Sequence, residues 1–304
     1  MIQAGGKRWW VACALLVAAL VVAPAKAQSP DEQLAAASAL FDAKKYAEAA
    51  ERLEAFVAKQ TKHERFGAAA LALGRCYTEL KQYPRAVTAY EKAVASRDTA
   101  VFSLAQLGLG EAAYQARQYS KAAEALDAAL QSRLRPEQAA VAGLWLGESR
   151  LQLEQWPAAE AAYQRLILEH PRAEGIDAAW FGSGLAALRQ GKKDLGRQRL
   201  EDLLKRFPQS ADRLQARLLL AQTDMEDTRW REARTQLETL LADAGANKQP
   251  EVRRIADEAL VRCLLELEDF PAAARRLEAT LAALPATDAT RFRVHLSLGH
   301  CRYR

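Results

Sequence analysis

Histidine is the commonest metal ligand among protein side chains, and this sequence has only four histidines. His295 and His300 are five residues apart, whereas two zinc ligands on one helix need the four-residue spacing of H-E-x-x-H. The other two, His63 and His170, stand near expected turns and far from each other in the sequence. We therefore predict no metal site.

Gly182-Ser183-Gly184 is the tripeptide that most suggests a phosphate-binding turn or a nucleophile turn. A dinucleotide fingerprint needs a third glycine where the sequence has Ala187, and no strand pattern precedes the tripeptide. The G-x-S-x-G spacing of a hydrolase elbow is also missing. Acidic residues are numerous, but no two of them stand out as a general acid and base. We predict a protein that is not an enzyme and binds no cofactor.

The positions of three cysteines indicate a repeated architecture. Cys76, Cys263 and Cys301 each follow a recurring position by two residues, and the other copies hold small residues there: Ala39, Ala112, Ser149, Ala186 and Thr223. We interpret these cysteines as small buried residues. Equivalent helices of neighbouring repeats lie about 8–10 Å apart, beyond the Cα separation of about 7 Å that a disulfide tolerates. We therefore predict no disulfide.

The recurring unit is clearest in residues 144–171. Apolar residues at spacings of three and four predict a first helix. Trp156-Pro157 marks the start of a second helix, because proline is tolerated at the first helical position. Gly147 and Ala159 are 12 residues apart. We expect them to face each other across the hairpin, where small side chains let two backbones approach closely.

The same offsets recur seven times along the chain. The positions 12 residues apart are Ala37/Ala49, Gly74/Ala86, Gly110/Ala122, Gly147/Ala159, Gly184/Gly196, Ala221/Ala233 and Val261/Ala273. Four residues after each pair stands a large apolar residue: Leu53, Tyr90, Leu126, Tyr163, Leu200, Leu237 and Leu277. Three residues before the second member stands an aromatic residue in six copies: Tyr46, Tyr83, Tyr119, Trp156, Trp230 and Phe270. The fifth copy has Lys193 there, and Gly299 begins an eighth copy.

This pattern resembles the tetratricopeptide repeat (TPR) family, which carries Leu-Gly on its first helix, Ala twelve residues after the Gly, and a terminal Pro. The matching residues are Leu73-Gly74, Leu109-Gly110, Leu146-Gly147, Pro171, Pro208 and Pro285. The resemblance covers roughly residues 30–304. It implies an all-α fold: a right-handed α-solenoid of TPR helix hairpins, with seven repeats and a partial eighth. The period of mostly 37 residues is longer than the family's usual value of about 34, and Lys193 and Val261 also depart from the family pattern.

Residues 1–27 have the pattern of a secretory signal peptide. Lys7 and Arg8 precede an apolar run of 15 residues. This run is shorter than the stretch of about 20 residues that a membrane-spanning helix needs. An A-x-A cleavage motif ends at Ala27. An uncleaved membrane anchor is the alternative. Cleavage after Ala27 would lower the formal net charge from +5 to +2, which removes the main argument for nucleic acid as a partner. We expect residues 28–304 to be periplasmic, with no integral membrane span after cleavage.

In TPR proteins the first helices line a concave groove, and the resemblance implies which residues face it. These are Leu71, Arg75, Leu107, Glu111, Tyr114, Leu144, Glu148, Phe181, Gln222 and Arg262. Apolar residues beside charges suit an extended or helical peptide. The alternative for the leucines is packing between repeats. The two-asparagine clamp of chaperone-binding TPR proteins cannot form, because Asn247 is the single asparagine of the chain.

The resemblance favours a non-catalytic protein–protein interaction scaffold of the bacterial cell envelope, with a protein or peptide partner in the periplasm. The endings HPRAEG and FPQSAD are similar to those of exported TPR proteins, among them the outer-membrane assembly lipoprotein and the Tol-Pal-associated division coordinator. Two alternatives stay open: a docking arm of a larger envelope enzyme or transport component, and a peptidoglycan-binding helical domain. Because the sequence stops within the first helix of its eighth repeat, we expect it to continue in a longer protein.

Overall fold

The computed structural model describes residues 29–304, and the regular elements in that range are all helical. The predicted signal peptide lies outside the described residues. Numbered in chain order, the α-helices are α1 Pro30–Asp42, α2 Tyr46–Lys59, α3 Phe66–Glu79, α4 Tyr83–Ala95, α5 Thr99–Gln115, α6 Tyr119–Leu130, α7 Pro136–Gln152, α8 Trp156–Glu169, α9 Ile176–Arg189, α10 Lys193–Arg206, α11 Arg213–Glu226, α12 Trp230–Ala242, α13 Pro250–Glu266, α14 Phe270–Ala283 and α15 Thr290–Tyr303. A short 3₁₀ helix, Ala244–Lys248, precedes α13.

These helices form successive hairpins, from α1–α2 to α13–α14, and α15 packs on the last of them. Each second helix also packs against the first helix of the next hairpin, so that each repeat buries apolar surface chiefly against its neighbours. Residues 29–304 therefore contain seven helical hairpins and the first helix of an eighth. The predicted all-α solenoid and its number of repeats are confirmed.

Every second helix begins at the position that is aromatic in six repeats and is Lys193 in the fifth. Two residues earlier the backbone has a positive φ, between 57° and 75°, at Lys44, Lys81, Arg117, Glu154, Gly191, Thr228 and Glu268. The Gln82 N–H donates to the Tyr77 carbonyl at 2.8 Å, which is the hydrogen bond that closes a left-handed helix end. Six of the seven positions are not glycine, although this conformation costs an L-residue about 1–2 kcal/mol. The packing of the hairpin therefore imposes the turn.

The large residue of the second helix occupies the space that glycine leaves on the first helices. The ring of Tyr163 lies between two glycines: a Cβ on Gly147 would be 2.4 Å from Tyr163 Cε1, and a Cβ on Gly182 would be 2.4 Å from Tyr163 Cζ. The atoms nearest to a Cβ on Gly147 would thus belong to Tyr163. In the fifth copy a Cβ on Gly196 would lie 3.0 Å from the Gly184 carbonyl oxygen, so the close backbone approach expected at the 12-residue spacing is found there. Glycine is required beside Tyr163 so that an aromatic ring can pass between two helices.

The three cysteines of the described residues lie in the positions that their repeat register predicts. Cys76 and Cys263 are fully buried and Cys301 is nearly so, and all three are free thiols. Burial raises the pKa of both Cys76 and Cys263 to about 11. Their interpretation as small buried residues is confirmed.

The junction between the fifth and sixth hairpins combines a buried apolar cluster, which includes Leu203 on α10 and Leu220 on α11, with charged groups. Direct contact between α9 and α11 is sparser than the corresponding contact between α5 and α7 or between α7 and α9. Lys193 Nζ lies 2.7 Å from Asp227 Oδ1 and 3.1 Å from Glu226 Oε2. Arg197 adds bonds to Asp227 at 2.8 Å and to the buried Asp224 at 3.3 Å. The lysine that breaks the aromatic pattern therefore links this hairpin electrostatically to the next one.

Candidate partner-binding groove

The first helices of the repeats form the inner surface of the solenoid. Contacts join α1 to α3, α3 to α5, α5 to α7 and α7 to α9, while the second helices make at most sparse contact with the second helices of adjacent hairpins. Elements on the inside of a curved stack lie closer together than those on the outside. From α1 to α9 the first helices therefore lie on the inner side of the stack, and the binding groove that the sequence assigns to them stays a prediction.

The residues that the sequence assigns to the groove differ in accessibility. Arg75, Gln222 and Arg262 are exposed on first helices, whereas Leu71 is only 7% exposed and belongs to the core. Packing between repeats therefore accounts for Leu71. The remaining six residues are partly exposed: Leu107, Glu111, Tyr114, Leu144, Glu148 and Phe181.

An aromatic pair joins α5 to α7, and both rings are partly exposed while they pack against the hydrophobic core. The rings of Tyr114 and Trp145 have their centroids 4.8 Å apart and are tilted by 51°. Val141, one turn before Trp145 on α7, is 42% exposed. We did not predict Trp145 as a groove residue, although the sequence holds a signal: the neighbouring copies have Gly108 and Gly182 at that position.

Glu148 on α7 is tied to the tyrosine that passes between the glycines. The Tyr163 hydroxyl donates a hydrogen bond of 2.8 Å to Glu148 Oε1. Burial raises the pKa of the Glu148 carboxyl, the hydrogen bond lowers it, and the charge of Asp212 raises it again, with a net increase. Glu148 is therefore a partly desolvated carboxylate whose hydrogen-bond donor is a neutral hydroxyl group.

Further carboxylates extend this acidic surface in both directions. Burial raises the pKa of Glu111 on α5, and the charge of Glu79 at the end of α3 adds to the increase. Burial likewise raises the pKa of Asp212, which directly precedes α11, and the charge of Asp177 in the first turn of α9 adds to it. Glu79, Glu111, Glu148 and Asp177 lie on successive first helices from α3 to α9, and Asp212 directly precedes α11; we call these five residues the acidic strip.

A second region of the inner side lies near the N-terminal end of the described residues. A cavity of about 500 Å³ between α1 and α3 is lined by Phe41, Ala72 and Arg75, among others. Arg75 is the predicted groove residue that reaches it. Its cationic side chain makes this end of the groove chemically different from the acidic strip.

No group of three or more His, Cys, Asp or Glu side chains within residues 29–304 is arranged to hold a metal ion. No helix in the same range combines the length and the hydrophobicity that crossing a membrane requires.

Comparison with family models gives a match to the tetratricopeptide repeat model. The matched segments are residues 34–101, 81–139, 107–176, 144–211 and 181–227, which together cover more than half of the chain. A search of curated proteins found no matching relative.

Solved structures with similar folds are TPR proteins with low sequence identity. The C-terminal part of a TPR repeat-containing protein from Cytophaga hutchinsonii is 18% identical, with a TM-score of 0.66, covering 86% of this chain and 98% of that one. A tetratricopeptide repeat protein from Parabacteroides merdae is 14% identical, with a TM-score of 0.54 and coverages of 90% and 98%. YrrB, a TPR protein with an unusual peptide-binding site, is 18% identical, with a TM-score of 0.54 and coverages of 69% and 98%.

Proposed function

The chain belongs to the tetratricopeptide repeat family, and on that premise we propose that it is a non-catalytic scaffold of the bacterial cell envelope whose concave groove binds a protein or peptide partner. The observation that carries this proposal is the inner side of α5 and α7. There the rings of Tyr114 and Trp145 are in contact and partly exposed, and Glu148 lies one turn after Trp145 on α7. Aromatic side chains next to hydrogen-bonding groups are typical of surfaces that bind proteins.

The composition of the groove supports binding rather than catalysis. The inner carboxylates lie beside tyrosines and other carboxylates, and no nucleophile with an adjacent base has been identified there. A peptide-binding site is described for YrrB, which has a similar fold, and we extend that mode of binding to this chain as part of the proposal. The envelope location rests on the signal-peptide pattern of residues 1–27.

Site-specific photo-crosslinking in the source cell tests the groove. A photoreactive residue at Gln222, which is exposed on the first helix α11, should give a discrete protein adduct. The matched control is Glu201, which is exposed on the second helix α10 and should give none. Equal labelling from both positions, or from neither, would contradict groove binding.

Fractionation of the same cells tests the proposed location. The protein should appear in the periplasmic fraction, with an N-terminal peptide that begins at Gln28. Co-sedimentation of the purified protein with peptidoglycan, without any protein adduct, would favour the cell-wall alternative instead. A cytoplasmic protein that retains residues 1–27 would exclude the envelope role.

A further inference from the structure

Some carboxylates on the second helices of this solenoid are neutralised by cations from the following repeat. Glu54 on α2 lies 2.6 Å from Arg85 on α4, and the buried Glu160 on α8 lies 2.9 Å from Lys192, just before α10. The partners in each pair come from adjacent hairpins. These second-helix carboxylates are therefore paired within the chain.

The acidic strip on the inner side has no such cations. Within residues 29–304 none of its five members forms a salt bridge. The neighbouring groups that shift the pKa values of Glu111, Glu148 and Asp212 are other carboxylates and the Tyr163 hydroxyl. The charge of Arg75 on α3 lowers the pKa of Tyr90, whereas the charge of Glu111 raises it. Arg75 is not among the groups that shift the pKa of Glu111.

Partly buried carboxylates that repel one another destabilise the unbound protein. Removing a charge from water costs free energy unless an opposite charge compensates for it. Carboxyls whose pKa is raised by burial and like charges are therefore candidates for a functional site. A ligand that brings positive charge into the groove would remove this penalty, whereas an acidic ligand would increase it.

The aromatic pair next to the strip adds a second requirement on the ligand. Tyr114 and Trp145 are partly exposed on the helices that carry Glu111 and Glu148, and Val141 on α7 is 42% exposed. Lysine and arginine side chains bind aromatic faces through cation–π contacts, and their aliphatic stems cover apolar surface. A free inorganic cation would use the carboxylates but leave this apolar surface uncovered.

We propose that the inner groove from α5 to α11 binds a basic amphipathic segment of a partner protein. In this arrangement lysine or arginine side chains pair with Glu111, Glu148 and Asp212, and an apolar side chain packs on Tyr114 and Trp145. The inference rests on the proposed function, since it names the chemistry of the segment that the groove receives. It excludes acidic and uncharged segments as strong ligands.

Fluorescence anisotropy with three peptides of equal length tests the inference on the purified chain. Leucine alternates with lysine in the first peptide, with glutamate in the second and with serine in the third. The lysine peptide should bind at least about tenfold more tightly than either of the others, because interfacial charge complementarity both attracts the correct partner and rejects the wrong one. Equal affinities for the three peptides would overturn the proposal.

Two substitutions separate a groove interaction from general attraction to an acidic protein. Glu148→Gln keeps an acceptor for the Tyr163 hydroxyl but removes the charge, and it should weaken lysine-peptide binding about tenfold. Glu201→Gln removes the same charge from the exposed outer position on α10 and should leave affinity unchanged. Equal losses in the two variants would overturn the groove assignment.

The pH dependence of binding gives an independent readout. Burial and like charges raise the pKa values of Glu111, Glu148 and Asp212, so lysine-peptide affinity should begin to fall above the ordinary carboxyl range as the pH is lowered. In Glu148→Gln the fall should be smaller. An affinity that stays constant down to the ordinary carboxyl range would contradict the inference.

Photo-crosslinking from Gln222 distinguishes failure of this inference from failure of the proposed function. An adduct whose crosslinked segment is acidic or uncharged overturns the basic-segment inference and leaves groove binding intact. No adduct from the inner position overturns the proposed function and this inference with it.

Discussion

Replacing Gly182 by alanine tests whether an aromatic ring between two glycines sets the spacing of the hairpins. The new Cβ would lie 2.4 Å from Tyr163 Cζ, 2.5 Å from Cε2 and 2.8 Å from the hydroxyl oxygen. Overpacking of this kind lowers the free energy of unfolding by about 1–3 kcal/mol. The better helix propensity of alanine offsets about 0.5–1 kcal/mol of that loss. We expect a net loss of about 1–2 kcal/mol in the free energy of unfolding.

Gly143→Ala is the matched control on the neighbouring first helix. Its Cβ would lie 3.5 Å from Leu166 Cβ, which is an ordinary van der Waals distance. The control should therefore gain the helix propensity without a steric cost. Thermal unfolding followed by circular dichroism should show Gly182→Ala melting several degrees below the parent chain, at about 2–4 °C per kcal/mol for a chain of this size, and Gly143→Ala at or above it.

A double-mutant cycle identifies the origin of the loss. Tyr163→Leu removes the distal ring atoms that Gly182→Ala would strike, so the alanine should cost less in the Tyr163→Leu background. We expect an interaction free energy of at least about 0.5 kcal/mol between the two sites, the range found for contacting residues. Additive effects, or a Gly182→Ala variant as stable as Gly143→Ala, would refute the explanation.

Three further results are expected from the same stability and labelling assays. Burial raises the pKa of the Glu111 carboxyl above its ordinary value of 4.5, so the folded state binds the carboxyl proton more tightly than the unfolded chain does. The free energy of unfolding therefore falls as the pH rises from 4.5 through the pKa of the folded state. Glu111→Gln should therefore melt above the parent at neutral pH, by a margin that vanishes below pH 4.5; an unchanged melting temperature at neutral pH would contradict this reasoning. Lys193→Ala should lower the melting temperature slightly, because its bonds to Glu226 and Asp227 are partly exposed, and the loss should disappear at about 1 M salt, where the Debye length is about 3 Å; a loss that persists would mean that its ion pairs are not the cause. Cys76 and Cys263, each with its pKa raised to about 11, should react with a maleimide at neutral pH after unfolding and not before; rapid native labelling would contradict their burial.

The helical framework could be predicted because its determinants are local. The recurring aromatic residue marks the first residue of each second helix, as at Tyr83 and Trp156, and proline follows in both cases. Small residues at one register position identify the sites where helices approach closely. These signals repeat about every 37 residues, so each copy strengthens the interpretation of the others.

The turns within the hairpins could not be predicted in the same way. Their left-handed residues include Lys81, Glu154 and Thr228, none of which has a local preference for positive φ. The turn is imposed by packing between the two helices that it joins. Residue type at the turn therefore carries little information about its conformation.

The acidic strip was predicted in part. Glu111 and Glu148 follow the recurring glycine, and the family register therefore placed them in the groove. Asp212 lies in the segment before α11, outside that register, and affects the pKa of Glu148 two hairpins away. Their proximity depends on the curvature of the whole stack, which the spacing within one repeat does not encode.

In a stack of repeats, cooperative folding spreads from one unit to the next through the interface between them. The interface between α10 and α11 holds buried apolar residues, among them Leu203 and Leu220, together with charged bonds such as Lys193–Asp227. Salt weakens the exposed charged bonds but not the apolar contact. We therefore expect higher ionic strength to reduce the coupling of amide hydrogen exchange between the first five hairpins and the remaining helices, while the apolar contact keeps part of that coupling.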